Sequence, residues 1–170
     1  MDIIPIKFLR LDANAVIPTK RNEDVGYDLY AIRKPEAPAY IVLMPGATHL
    51  FHTGLASVLA PGTWIEFKER SSTAKYGLSL RSGVIDSGYR GEWCIRRTNC
   101  SDTPIAFSWE DGIEKSLNGD EVVFPAKTKA LAQFVVHKVQ PSSVYEINSA
   151  EFEACAPTER GAGGWGSSGK

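Results

Sequence analysis

Runs of four or five β-type residues, each broken off by glycine or proline, recur along this chain and restrict its fold more than any other feature. Ile41-Val42-Leu43-Met44, Leu55-Ala56-Ser57-Val58-Leu59, Trp64-Ile65-Glu66-Phe67 and Phe134-Val135-Val136-His137 are the clearest, and they read as strands. Pro45-Gly46, Pro61-Gly62, Asp111-Gly112 and Asn118-Gly119 punctuate them; the last two are dipeptides that tolerate positive φ in tight hairpins. Between those two, Ile113-Glu114-Lys115-Ser116-Leu117 reads as a hairpin arm or a short helical turn. Only Ser71-Ser72-Thr73-Ala74-Lys75-Tyr76 permits a helix, of one or two turns, with a serine as cap and Gly77 as its end. Many short strands with almost no helix imply a β-sandwich, a jelly roll or a barrel, and pattern alone does not choose among them.

At 170 residues the chain fits one domain large enough to bury a core without staples. No apolar run approaches the roughly 20 residues that a membrane-spanning helix needs. The first residues, Met1-Asp2-Ile3-Ile4-Pro5-Ile6-Lys7, lack the pattern of a secretory signal. Cys94, Cys100 and Cys155 are odd in number and widely spaced, which suits reduced thiols in a cytosol better than disulfides or structural zinc. A formal net charge of -1 argues against binding of long nucleic acid, so any phosphate recognition is expected to be local.

Three segments carry the chemistry. Glu69-Arg70-Ser71-Ser72 combines a guanidinium, hydroxyls and helix-start amides, the components of an anion site; its bland reading is a capped helix beside a surface arginine. Gly83-Val84-Ile85-Asp86-Ser87-Gly88-Tyr89-Arg90-Gly91-Glu92 delivers a carboxylate from a strand end into a turn, where it could polarise water; alone, Asp86 would be an Asx-turn residue. Arg160-Gly161-Ala162-Gly163-Gly164-Trp165-Gly166-Ser167-Ser168-Gly169 is too glycine-dense to form core. Such a terminus is ordinarily a disordered tail, yet its arginine and lone tryptophan suit a nucleotide, because glycine lets backbone N–H groups approach an anion and an aromatic face stacks on a base.

Taken in order, these segments resemble the five motifs of trimeric dUTPases. Asp24-Val25-Gly26-Tyr27-Asp28-Leu29-Tyr30-Ala31 is similar to A-G-x-D-L-x-A, and Arg70-Ser71-Ser72 to the second motif. Gly83 to Glu92 is close to G-V-I-D-x-x-Y-R-G-E; Ala130-Leu131-Ala132-Gln133 resembles R-I-A-Q, and Arg160 to Gly169 resembles R-G-x-G-G-F-G-S-T-G. The resemblance implies an all-β, distorted jelly-roll barrel over residues 1–159, a C-terminal lid over 160–170, and a homotrimer whose three active sites each draw on all three chains. It implies hydrolysis of dUTP to dUMP and pyrophosphate. Asp86 would activate water for attack on the α-phosphorus, and Tyr89 would pack under the deoxyribose. Backbone of the hairpin holding Ser82, Gly83 and Ile85 would read uracil. Arg70, Ser71, Ser72 and Gln133 would hold the phosphates, with Mg²⁺ bound largely through waters and Asp28 in its outer shell. Arg160, Gly166, Ser167 and Ser168 would close over the γ-phosphate while Trp165 stacks on the base.

Glu69 stands where the family has proline and Ser72 where it has glycine, which would set a negative charge beside the phosphate loop and weaken binding. Residues 102–123 read as a surface insertion, and a protein partner could use it. His49 and His52 fall on opposite faces of a strand, which disfavours shared metal ligation. Trp64, Trp93 and Trp109 read as packing residues, with an interface role open to Trp93. Two rivals remain: a dCTP deaminase of related fold, disfavoured because Arg96 stands where its catalytic glutamate belongs, and a nucleotide-dependent module that controls a protein partner.

Overall fold

The computed structural model describes residues 3–110 and 122–163, in two compact units divided between Val139 and Gln140. The expected boundary at 159/160 therefore falls inside the second unit. Among the described residues the first unit is built of twelve strands and one helical turn. In chain order they are β1 (Ile6–Arg10), β2 (Tyr27–Leu29), β3 (Tyr40–Leu43), β4 (Thr48–His52), β5 (Leu55–Leu59), β6 (Thr63–Lys68), α1 (Ser71–Ala74), β7 (Leu78–Leu80), β8 (Val84–Asp86), β9 (Cys94–Asn99), β10 (Ile105–Ser108), β11 (Val122–Pro125) and β12 (Ala132–Lys138). All four strands expected from the sequence are present. Their Pro-Gly junctions are turns with Gly46 at φ 77° and Gly62 at φ 74°, conformations that Pro-Gly supplies without strain.

Strand order is β1-β5, β11-β10-β3, β2-β12-β6-β8 and β4-β9-β7. Only the β10–β11 pair is parallel among them. The faces converge on a core that includes Leu29, Phe51, Leu55, Ile65, Trp93, Ile95, Phe107, Phe124, Leu131 and Phe134. Trp93 packs edge-on to Phe8 and Phe134 at ring-centroid distances of 5.1 and 5.2 Å, a favoured aromatic geometry. Completely buried within its own chain, it has no surface to offer at an interface.

Two expectations are corrected. The surface insertion at 102–123 contains β10, whose Ile105, Ala106, Phe107 and Ser108 are all buried. Phe107 sits 4.6 Å from Phe51 and 5.5 Å from Phe124; the short apolar run Ile105-Ala106-Phe107 is its only local signal, and the excess length of the segment outweighs it. The Asp111-Gly112 and Asn118-Gly119 turns and Ile113–Leu117 lie outside the described residues. A second helix, α2 (Ser149–Glu153), exists in the second unit. Its signal is the box Asn148-x-x-Glu151: the Asn148 side chain accepts from Glu151 N–H at 3.0 Å and Glu151 accepts from Asn148 N–H at 2.9 Å, satisfying two orphan donors.

Candidate active site

The third motif forms the edge of a sheet and the wall of a cavity. Antiparallel pairing sets Ile65 opposite Ile85 and Trp64 opposite Asp86, and among the described residues β8 has no partner on its other side. Its backbone groups there are free to pair with a ligand, as sheet edges do. The chain then turns, Tyr89 N–H donating to the Asp86 carbonyl at 3.1 Å. The Asp86 carboxylate is exposed and accepts no hydrogen bond from the described residues, so the Asx-turn reading does not hold. Tyr89 O–H donates to the Glu92 carbonyl at 3.1 Å.

Asp86, Tyr89, Ser82, Gly83 and Ile85 all line one cavity of about 460 Å³, together with Arg81, Val84 and Arg96. Those last three were missed in the sequence. Gly83 C=O accepts from Phe67 N–H at 2.8 Å, so period-two alternation turns the backbone of Val84 away from β6, toward the open edge. The Ser82 hydroxyl is engaged, donating to Cys94 C=O at 3.1 Å and accepting from Arg96 N–H at 2.8 Å.

A second cleft, of about 790 Å³, gathers Asp28, Arg70, Ser71 and Gln133 with Lys20, Arg21, Asp24 and Gly26. Arg70 meets both oxygens of Asp28 at 3.0 Å, the two-point geometry that best fixes a guanidinium; it also donates to Ser72 Oγ at 3.2 Å. Gln133 Nε2 donates to Glu69 C=O at 2.6 Å. A Cβ on Gly26 would lie 2.2 Å from Gln133 Oε1, so the absence of a side chain there makes room for the amide. The helical turn departs from expectation at its start: Arg70 is the N-cap, with no side-chain cap, and Ser71 is already helical. At its end Gly77 N–H donates to Ala74 C=O, with φ 72°.

Glu69 also behaves otherwise than expected. Its carboxylate pairs with Arg97 Nη1 and accepts from Leu80 N–H, so its charge is neutralised beneath the loop instead of facing a phosphate. Arg97 is completely buried and also donates to Thr73 Oγ1 at 3.1 Å and to Leu131 C=O. Burial pulls its guanidinium below the usual arginine value, and the Glu69 carboxylate opposes that.

The two clefts share no lining residue. Along β6, Trp64 pairs with Asp86 and Lys68 pairs with Gln133. At about 3.4 Å per residue along the strand and about 4.8 Å per strand across, the Cα atoms of Asp86 and Gln133 lie roughly 17 Å apart. One chain does not bring the carboxylate to the phosphate-loop arginine.

Arg160 belongs to the second unit, where its Nε donates to Gly163 C=O at 3.0 Å. Trp165, Gly166, Ser167 and Ser168 lie outside the described residues. Glu92 and Cys94 also line the Asp86 cavity, and His52 Nδ1 is 2.9 Å from Glu92 Oε2 and 3.9 Å from Cys94 Sγ. Burial raises Glu92, but the hydrogen bonds from His52 and Gly54 N–H, with the charges of His52 and Lys34, leave it below its ordinary value. Burial, then the Glu92 charge, pushes the Cys94 thiol up. His49 is lowered by burial and by His52. No helix among the described residues is long and apolar enough to cross a membrane.

Residues 12–113 match the family model for dUTPase. This chain is a member of the dUTPase family. The deoxyuridine 5'-triphosphate nucleotidohydrolase of Nautilia profundicola is 31% identical over 97% of this chain and 99% of its own; that of Mycolicibacterium gilvum is 32% identical over 95% and 92%. Among solved structures, the dUTPase of Staphylococcus bacteriophage 80alpha with dUpNHpp superposes with a TM-score of 0.72 at 22% identity, over 98% of this chain and 99% of that one. A point mutant of the dUTPase of phage phi11 of S. aureus, described with a structural Mg(II) ion, gives 0.65 at 19% identity, covering 85% and 97%. These likenesses agree with the jelly-roll dUTPase fold.

Proposed function

We propose that this dUTPase-family chain hydrolyses dUTP to dUMP and pyrophosphate, as a homotrimer with Mg²⁺. The observation that carries the reading is Asp86: a carboxylate free of hydrogen bonds from the described residues, at the end of an edge strand, opening into the same cavity as Tyr89. A base so placed takes a proton from water as that water attacks the α-phosphorus, and pyrophosphate leaves. Tyr89 packs under the deoxyribose and refuses a 2′-hydroxyl. The free edge of β8 pairs with uracil through the outward backbone of Val84, in the cavity that Ser82, Gly83 and Ile85 also line; cytosine, with its donor pattern reversed, leaves those groups unpaired.

Arg70, Ser71, Ser72 and Gln133 hold the phosphates. Two independent ties fix that cluster, Asp28 on Arg70 and the Glu69 carbonyl on Gln133, so binding needs little reorganisation. The oxygen donors of this cleft, Asp24, Asp28, Ser71 and Gln133, suit a hard cation. Each Asp28 oxygen already meets an Arg70 nitrogen, which fits contact with the ion through water. Mg²⁺ held there neutralises phosphate charge. Arg160 and residues 165–168 close over the triphosphate, with Trp165 on the base. Because the base-bearing cavity and the phosphate cluster are far apart in one chain, a complete site needs Asp86 from one subunit and Arg70 and Gln133 from another.

Arg96 lines the Asp86 cavity, where an arginine has no basic atom to offer; this supports hydrolysis over deamination. The test is pyrophosphate release in Mg²⁺ from each deoxynucleoside and ribonucleoside triphosphate, with ammonia assayed for dCTP. dUTP alone turning over rapidly is the expected result; equal rates with UTP, or ammonia from dCTP, refute it. Asp86→Asn is expected to lower turnover by roughly 10²- to 10⁴-fold while keeping affinity for dUpNHpp, and near-normal turnover removes Asp86 from the role.

A further inference from the structure

We propose that His52, Glu92 and Cys94 form a binding site for a borderline-soft divalent cation such as Zn²⁺, separate from the hard-oxygen cleft. The β4–β9 ladder sets His52 directly opposite Cys94, and Glu92 precedes Cys94 by two residues. Nitrogen, oxygen and sulfur donors thus converge, all within 4.8 Å of one another.

The two spacings that involve His52 are close to what the ion requires, and the third pair lies within 4.8 Å. Zinc bonds of about 2.0–2.1 Å to N and O and about 2.3 Å to S, at tetrahedral angles, put N and O about 3.3 Å apart and S and N about 3.6 Å apart. The chain holds those pairs at 2.9 and 3.9 Å, so loading shifts each by a few tenths of an ångström. Glu92 is also aimed. Its Oε1 accepts from Gly54 N–H at 2.8 Å and lies 3.5 Å from Lys34 Nζ, leaving Oε2 as the ligand atom, the outer support by which proteins orient metal-binding carboxylates. His52 and Glu92 are partly exposed, which gives the ion a path and leaves a fourth position for water. On binding, the Cys94 thiol gives its proton to solvent and the imidazole carries its own on Nε2. The sulfur and nitrogen donors select against Mg²⁺.

The test uses the full chain under reducing conditions, dialysed against Zn²⁺ with Mg²⁺ in large excess, and separately loaded with Co²⁺. One Zn²⁺ per chain is expected, with a thiolate-to-cobalt charge-transfer band in the Co²⁺ form. Cys94→Ser and His52→Gln should each weaken Zn²⁺ binding by about tenfold or more, and Cys94→Ser should abolish the band. No stoichiometric zinc, or no charge-transfer band in the unaltered chain, overturns the proposal. So does binding that persists in both variants, since it places the ion elsewhere. Glu92 and Cys94 also line the Asp86 cavity, so the readouts are zinc content and the Co²⁺ band rather than turnover, and on those readouts this inference and the proposed activity fail independently.

Discussion

Replacing Glu69 by alanine leaves Arg97 with neutral acceptors only, Thr73 Oγ1 and the Leu131 carbonyl, among the described residues. Removing one partner of a fully buried pair costs about 3–5 kcal/mol, because the remaining charge has lost its water without compensation. Arg97 is fully buried, but the Glu69 side chain keeps 44% of its exposure, so water partly screens the pair and a cost of about 2–3 kcal/mol is expected. For a chain of this size that lowers Tm by roughly 4–12 °C. Calorimetry at fixed protein concentration reads it, since assembly as a trimer would make Tm concentration-dependent. The decisive measurement is the double variant Glu69→Ala/Arg97→Met, in which no charge is stranded; it should melt above Glu69→Ala alone. If Glu69→Ala melts like the unaltered chain, or the double variant loses the sum of the two single losses, the ion pair is not what holds α1 against β9 and β12.

Gly26→Ala should raise KM for dUTP with little change in Tm, because the new methyl displaces the Gln133 amide; in a Gln133→Ala background it should have little further effect. Acid should weaken the fold in two stages. His49 and Glu92 both have lowered folded values, so each contributes stability fully present above its unfolded value and lost as pH falls through its folded value. The first loss sets in below about pH 6.5 and the second below about pH 4.5; denaturation followed across this range checks both, and His49→Gln should remove the first alone. Deleting residues 160–170 should cut turnover without lowering Tm, and a lower Tm would show that the segment contributes to the fold.

The strands and their turns were legible because both signals are local: β-branched and aromatic runs, and Pro-Gly pairs with the right φ. The hairpin that bears Asp86 was legible for the same reason, being one continuous segment. What escaped depends on partners distant in sequence. Nothing adjacent to Glu69 announces that Arg97, 28 residues on, turns its charge inward. Nor does any motif mark Arg81 and Arg96 as neighbours of Asp86, since β7–β9 pairing brings them there. β10 hides in a segment whose length reads as an insertion, with only a three-residue apolar run to mark it, and α2 hides because its capping box precedes no long apolar face.

The distance along β6 between the base and the phosphate loop has a genetic consequence. If a complete site takes Asp86 from one subunit and Arg70 from another, a subunit lacking Asp86 and one lacking Arg70 would each be inert alone, yet each keeps the half of the site that the other lacks. Mixed in one assembly, two dead chains can complement, restoring function wherever an intact half of one abuts the intact half of the other.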